Sequence, residues 1–236
     1  MPADDSNRDG RAPRRSQDDV VEAALDLLDR VGLPDLSMRR LADHLGVQPS
    51  ALYWHVANKQ TLLAAVSARI IDPRRDSADD TDADDTGADA DAIAEGGLDD
   101  AARALGTRLH ERLLAHRDGA EVVSSSLALG LVESPIEAHL IRVAARTGAP
   151  VALARAVADA VTHFVVGFTF HEQQRRSADA WGAASASVGA SPDLVAAGHD
   201  DGFAAALDLI AAGAAARLNR PADGSTPGAS RRPLPR

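Results

Sequence analysis

Between Ser37 and Lys59 the chain reads SMRRLADHLGVQPSALYWHVANK, and the glycine and proline inside it leave room only for two short helices. Met38, Leu41, Ala42 and Leu45 recur at i, i+3, i+4 and i+7, one apolar stripe on a helix whose N-cap is Ser37. Gly46 supplies the left-handed backbone that helix C-termini commonly need, and Pro49 is pre-set for the first turn of a new helix. That second helix, expected from Pro49 to about Val56, buries Leu52 and Val56 and turns Gln48, Ser50, Tyr53, Trp54 and His55 to other faces. Two short helices on a tight glycine turn make a helix-turn-helix.

A helix this short is marginal in isolation, so its cluster of hydrogen-bonding and aromatic side chains reads as an interaction surface. In a recognition helix the N-terminal residues meet base edges in the major groove while the preceding helix touches the backbone. Arg39 and Arg40 before it and Lys59 after it would bracket it with phosphate partners. The plainer alternative makes Tyr53 and Trp54 core residues of a small bundle.

Taken together, the glycine turn, the proline-started helix, LYWHV at 52–56 and the Asn58-Lys59 pair resemble the TetR family of bacterial transcriptional repressors. The resemblance covers most of the chain and is strongest from residue 16 to 70. It implies an all-α fold, with an N-terminal three-helix DNA-binding domain and a C-terminal helical domain for ligand binding and dimerisation. It implies three partners: a double-stranded DNA operator, a small-molecule effector and a second copy of the chain. The DNA-binding set it implies is Arg39, Arg40, Gln48, Pro49, Ser50, Tyr53, Trp54, His55 and Lys59.

Composition agrees with helices. Aromatics make up 3% of the chain and alanine is abundant, which favours helices packed through small residues over sheets. No cysteine occurs, so disulfides, iron-sulfur clusters and thiolate zinc sites are excluded, and a reducing cytoplasm is the expected compartment. No unbroken apolar run reaches the ~18 residues of a membrane span, and the N-terminus lacks a signal-peptide core, so no membrane partner is expected. The net charge of -10 is unusual for a DNA binder until it is located. From Asp72 to Asp100 there are twelve acidic and two basic residues, and the remaining 23 acidic and 23 basic residues cancel. A distant acidic loop is screened within ~8 Å at physiological salt, so the local field of the docking face decides.

Five segments follow. Residues 1–15, with Arg8, Arg11, Arg14 and Arg15, are expected as a disordered basic arm. Residues 16–71 form the DNA-binding domain: Ser16 and Asp19 make a capping box for a first helix up to Gly32, and Asn58 caps a linking helix that buries Leu62, Leu63, Val66 and Ile70. Residues 72–97 are an acidic insert too poor in large apolar groups to fold alone. Residues 98–220 form the second domain, which opens on Leu98, Ala102, Leu105, Leu109 and Leu113 and turns at Arg117-Asp118-Gly119. Short helices follow to about Leu131, Ser134-Pro135-Ile136-Glu137 reads as a capping box, and Pro150 opens a long helix. A looser stretch from 177 to 198 precedes a last helix, and 221–236 is expected as a disordered tail. On the two long helices Val157, Val161, Phe168, Phe203, Leu207, Ile210 and Ala214 form apolar stripes assigned to a dimer interface.

The second domain is similar to the tetracycline-repressor branch of the family, through LLAHRDGAEV at 113–122 and through His163-Phe164, Gly167 and Glu172-Gln173. That branch binds magnesium-chelated tetracycline, yet Val123 and Leu127 stand where it has a metal-binding histidine and an arginine. Ser126 replaces a threonine, His171 takes the place of a metal-associated glutamate with Glu172 beside it, and Leu105 and Leu109 replace polar or aromatic contacts. Valine and leucine offer a hard cation no ligand. A different, mostly apolar pocket is expected, bounded by Leu105, Leu109, Val123, Leu127, Leu140, Ile141, Phe164 and Phe168. Its polar groups would come from His110, His116, Ser126, His139, His163, His171 and Glu172, although each histidine reads equally well as structural.

No nucleophile motif, phosphate loop or metal-spaced cluster is present, so no catalytic or metal residue is assigned and no cofactor is expected. The sequence favours a ligand-responsive repressor over an enzyme built on histidines beside Glu172. It also favours it over a protein-binding adaptor using the acidic insert.

Overall fold

In the computed structural model, residues 16–72, 96–180 and 199–219 are described, and they form nine α-helices with no strand. The basic arm, most of the acidic insert, the stretch at 181–198 and the C-terminal tail lie outside the described residues. The helices are α1 (Gln17–Val31), α2 (Met38–Leu45), α3 (Pro49–Leu52), α4 (Lys59–Ile71), α5 (Leu98–Leu114), α6 (Gly119–Ala128), α7 (Glu137–Thr147), α8 (Val151–Ala180) and α9 (His199–Leu218).

Local chemistry sets the ends of the first four. Ser16 Oγ accepts from Asp19 N–H at 3.1 Å and the Asp19 carboxylate accepts from Ser16 N–H at 2.7 Å, a complete capping box. Ser37 Oγ accepts from Arg40 N–H, and Asn58 Oδ1 accepts from Thr61 N–H at 2.8 Å. Gly46 closes α2 in the left-handed region at φ 66°. Val20, Ala24 and Leu28 of α1, Leu41 and Ala42 of α2, Leu52 of α3 and Leu62 and Val66 of α4 are all buried, so α1 packs on α2 and α4 while α2 packs on α3. Leu63 of α4 is half-buried rather than core.

The second helix of the motif is shorter than its sequence implies. It closes at Leu52, whose carbonyl accepts from both His55 and Val56 N–H at 2.9 Å across a turn. Tyr53 and Trp54 bury nothing that would reward a further helical turn, and Val56 reaches the core from the turn instead.

Compactness divides the described chain into two units. The first holds residues 16–72, 109–133 and 165–180, and the second holds 96–108, 134–164 and 199–219. The division does not follow the consecutive segments of the sequence, because α5 and α8 each contribute residues to both units. In the first unit the turn before α6 rests on Asp118, in a left-handed conformation at φ 55° with its carboxylate accepting from Leu33 N–H at 2.8 Å. Gly119 is required beside it, because a Cβ there would stand 2.7 Å from the Leu113 carbonyl oxygen.

In the second unit Phe203 of α9 stacks on Phe164 of α8 at 5.6 Å between ring centroids. The side chains of Leu207 and Val161 close over Gly106 of α5, where a Cβ would meet them at 2.8–3.0 Å. Arg103 of α5 reaches Asp208 at 2.7 Å and also pairs with Asp99 and Asp100. The hydrogen bond to Asp208, more than any other influence, raises the pKa of this guanidinium above its ordinary value.

Three sequence expectations are corrected. Ser134 does not complete a capping box on α7: its hydroxyl hydrogen-bonds Thr162 at 2.9 Å and accepts from Ile136 N–H at 3.4 Å, and the helix starts at Glu137 without a side-chain cap. Val157, Val161, Phe203, Leu207 and Ala214, assigned to a dimer interface, are buried within the single chain; Ile210 and Phe168 are half-buried. An apolar stripe on a helix needs a cover, and here the chain's own helices supply it. Finally, the helical segment Val151–Ala178 is long and apolar enough to cross a membrane by length and composition, although no unbroken apolar run suggests it. It carries Arg155 and Asp159, and its Ala154, Val157, Ala158, Val161 and Val165 are core residues, as a central helix of a helical domain requires.

Candidate DNA-reading surface and sensor core

The buried faces of α2 and α3 fix where their other side chains go. With Leu41, Ala42, Leu45, Leu52 and Val56 buried beneath, Arg39, Arg40, Gln48, Pro49, Ser50, Tyr53, Trp54 and Lys59 are exposed. His55 is half-buried at the edge of the set. Tyr53 is 54% and Trp54 89% exposed, which settles the alternative that either is core. An indole left in water forgoes the burial that aromatic side chains usually gain, so two adjacent exposed aromatics mark a surface that a partner covers. Gln48 sits at the N-cap position of α3 with no side-chain capping bond, so its amide does not serve the helix. Arg40 pairs with Asp35 at 3.1 Å on the surface.

The sequence-assigned pocket residues are divided between the two units. Leu109, His110, His116, Val123, Ser126, Leu127, Phe168, His171 and Glu172 belong to the first unit, and Leu105, His139, Leu140, Ile141, His163 and Phe164 to the second. Leu105, Leu109, Val123 and Leu140 are buried, while Leu127, Ile141, His139, Phe164 and Phe168 are half-buried. Three histidines are corrected. His163 is exposed and hydrogen-bonds the Asp159 carbonyl of its own helix, His171 is exposed, and His116 is half-buried and paired with Asp29 of α1 at 3.0 Å. Ser126 is also redirected. It lies 2.7 Å from the Ser67 hydroxyl of α4, fully buried, and Ser67 also reaches the Val122 carbonyl at 3.1 Å. Ser67 Oγ is the donor toward both the Ser126 hydroxyl and the Val122 carbonyl, which share its single proton.

His110 and Glu172 do meet, on α5 and α8, at 3.5 Å from Nε2 to Oε2. Thr169 joins them through His110 Nδ1 at 2.8 Å, and Arg176 through Glu172 Oε1 at 2.6 Å. Ser67, Thr169 and Asp29 were not singled out from the sequence. Ser67 had a readable signal, a polar residue in the buried row of Val66 and Ile70; Thr169 and Asp29 had none.

A helix-turn-helix with an exposed reading face, followed after α4 by five further helices among the described residues, is the arrangement of a DNA-binding regulator with a second helical domain. Residues 20–66 match the family model for bacterial regulatory proteins of the tetR family, and residues 92–218 match the tetracyclin repressor-like C-terminal domain. The class C tetracycline repressor protein of Escherichia coli is 34% identical over 161 residues, 68% of this chain and 67% of that one. The crystal structure of Mycobacterium smegmatis BioQ is 37% identical, with a TM-score of 0.66 over 86% of this chain and 98% of BioQ. BioQ with its double-stranded DNA operator is 36% identical at a TM-score of 0.61, covering 86% of this chain and 99% of that one. The chain belongs to the TetR family, and it is a ligand-responsive DNA-binding transcriptional regulator. Dimers on operator DNA are typical of this family.

Proposed function

We propose that two copies of this chain present Gln48, Ser50, Tyr53 and Trp54 to successive major grooves and repress transcription until a small molecule other than magnesium-tetracycline binds the sensor domain. The observation that carries this reading is the helix-turn-helix between two side-chain-capped helices, α2 and α4, with two aromatics standing in solvent. Arg39 and Lys59, exposed on either side, are suited to phosphates, while Arg40 gives part of its charge to Asp35. Half-sites one helical turn apart call for two-fold symmetry, and a second copy would cover the exposed Val151 and Leu209 on α8 and α9 rather than the stripes already buried.

The tetracycline chelate is disfavoured by chemistry. Val123 and Leu127 carry no donor atoms, and Ser126 is engaged with Ser67. Effector control would act as a population shift, and moving the balance from 1:99 to 99:1 takes ~5.5 kcal/mol of differential affinity. The chain acts in the cytoplasm and performs no catalysis in this reading.

Fluorescence anisotropy of a labelled duplex from the gene's own upstream region, followed over a salt series, tests it. Sequence preference with a steep salt slope is expected, and Lys59→Ala should weaken all duplexes alike and reduce the slope by about 1. Absence of binding at low salt would overturn the proposal.

A further inference from the structure

Two guanidiniums, Arg39 and Arg40, stand in the first turn of α2, and that turn holds no acidic residue. Positive charge there opposes the helix dipole, so the two arginines serve an external anion better than they serve the helix. Capping is left to Ser37, whose hydroxyl accepts from Arg40 N–H at 3.2 Å and so fixes the Arg40 backbone while its side chain reaches outward. Leu41, Ala42 and Leu45 bury the other side of the helix, and Arg39 and Arg40 stay exposed.

The carboxylate that meets Arg40 comes from outside the helix. Asp35 lies in the turn from Gly32 to Leu36, which is closed by Leu36 N–H donating to the Gly32 carbonyl at 3.1 Å and anchored by the buried Leu36 side chain. Its Oδ1 stands 3.1 Å from Arg40 Nη1, with the two side chains 59% and 51% exposed. A pair so open to water adds little to the stability of the fold. Its effect is on what else the guanidinium can bind: a carboxylate at hydrogen-bond distance, on a helix that in such motifs crosses the DNA backbone, competes with phosphate for the same donors.

We propose that Asp35 restrains sequence-independent DNA binding by occupying Arg40, so that one phosphate contact is withheld from every duplex alike. The proposal rests on α2 and α3 being the side that meets DNA, and it adds to that side a residue that weakens binding. Each phosphate neutralised contributes about -0.9 to the slope of log affinity against log salt. Freeing Arg40 therefore steepens the slope by about that amount, and a fourfold rise in salt erases about 3.5-fold of the affinity it adds. Base contacts are untouched, so the preference for one sequence over another stays as it was. A regulator that must release its operator is served by such a limit, because a smaller share of its affinity is then common to all DNA.

The test compares the full-length protein with its Asp35→Asn variant, by fluorescence anisotropy on a labelled duplex from the gene's own upstream region and on a shuffled duplex of the same composition. Between about 50 and about 200 mM sodium chloride, Asp35→Asn should show the steeper salt slope, binding both duplexes about threefold more tightly at the low end and leaving the ratio between them unchanged. Asp35→Glu, which keeps the charge, should leave the slope where it is. In an Arg40→Gln background, Asp35→Asn should change neither affinity nor slope. An unchanged slope for Asp35→Asn would overturn the proposal. So would equal strengthening with Arg40 replaced, since the carboxylate would then act by its own repulsion of phosphate and not through Arg40. Absence of binding by either protein at low salt would remove the regulator reading together with this one, whereas binding with an unchanged slope removes this one alone.

Discussion

The reading head and the sensor core treat polar side chains in opposite ways. In the reading head, Ser16, Ser37 and Asn58 spend their oxygens on helix N-termini at the surface, and the remaining polar and aromatic groups of α3 stand in water. In the sensor core, Ser67, Ser126 and Thr169 are buried and bonded across helices, and Glu172 is buried with His110 of α5 3.5 Å away. A surface meant for a large charged polymer can be left open, because solvent satisfies it until the partner arrives. A core that must respond to a small molecule keeps its polar groups inside, where each one that lacks a partner is expensive.

Substitutions in each region test that contrast. The largest effect is expected from Leu52→Ala, which removes a 1% exposed side chain from beneath the reading face and should cost about 2–5 kcal/mol in denaturant unfolding. Were the loss small, the reading head would not be held by its own core. In the other unit, Gly106→Ala would push a methyl into Leu207 and Val161, and overpacking of that kind costs about 1–3 kcal/mol by the same assay.

Ser67→Ala should cost about 1–3 kcal/mol, since the buried Ser126 hydroxyl and Val122 carbonyl lose a partner. The double variant Ser67→Ala/Ser126→Ala should cost less than the sum of the two single changes, and simple additivity in a double-mutant cycle would show that the hydroxyls do not act as a pair. The smallest change is at the surface cap: Ser37→Ala should cost about 1 kcal/mol and leave the second unit untouched.

The same contrast decides what could be read without coordinates. Caps and turns rest on residues three or four apart, so Ser16 with Asp19, Ser37, Gly46, Asn58 and the αL end of α7 at Gly148 were all legible. The exposed reading face was legible too, because Leu41, Leu45, Leu52 and Val56 already use the buried side of two very short helices. What failed depended on distant partners. Ser134 looks like a cap until Thr162, 28 residues away, claims its hydroxyl. Periodicity shows that Val161 and Leu207 need a cover but not whether it comes from the same chain. On α8 a single residue of helical phase separates exposed His171 from buried Glu172, and spacing alone does not settle that phase.

The central claim is that Tyr53, 54% exposed on a motif whose core lies beneath it, reads DNA and does not hold the fold together. It is tested most directly by the ratio of specific to non-specific duplex affinity for Tyr53→Ala, with its unfolding midpoint measured on the same sample. The account predicts an unchanged midpoint and a specificity ratio lowered by about tenfold or more, the equivalent of ~1–3 kcal/mol at one base pair. A variant that loses its fold while whatever remains folded keeps the original preference would contradict it.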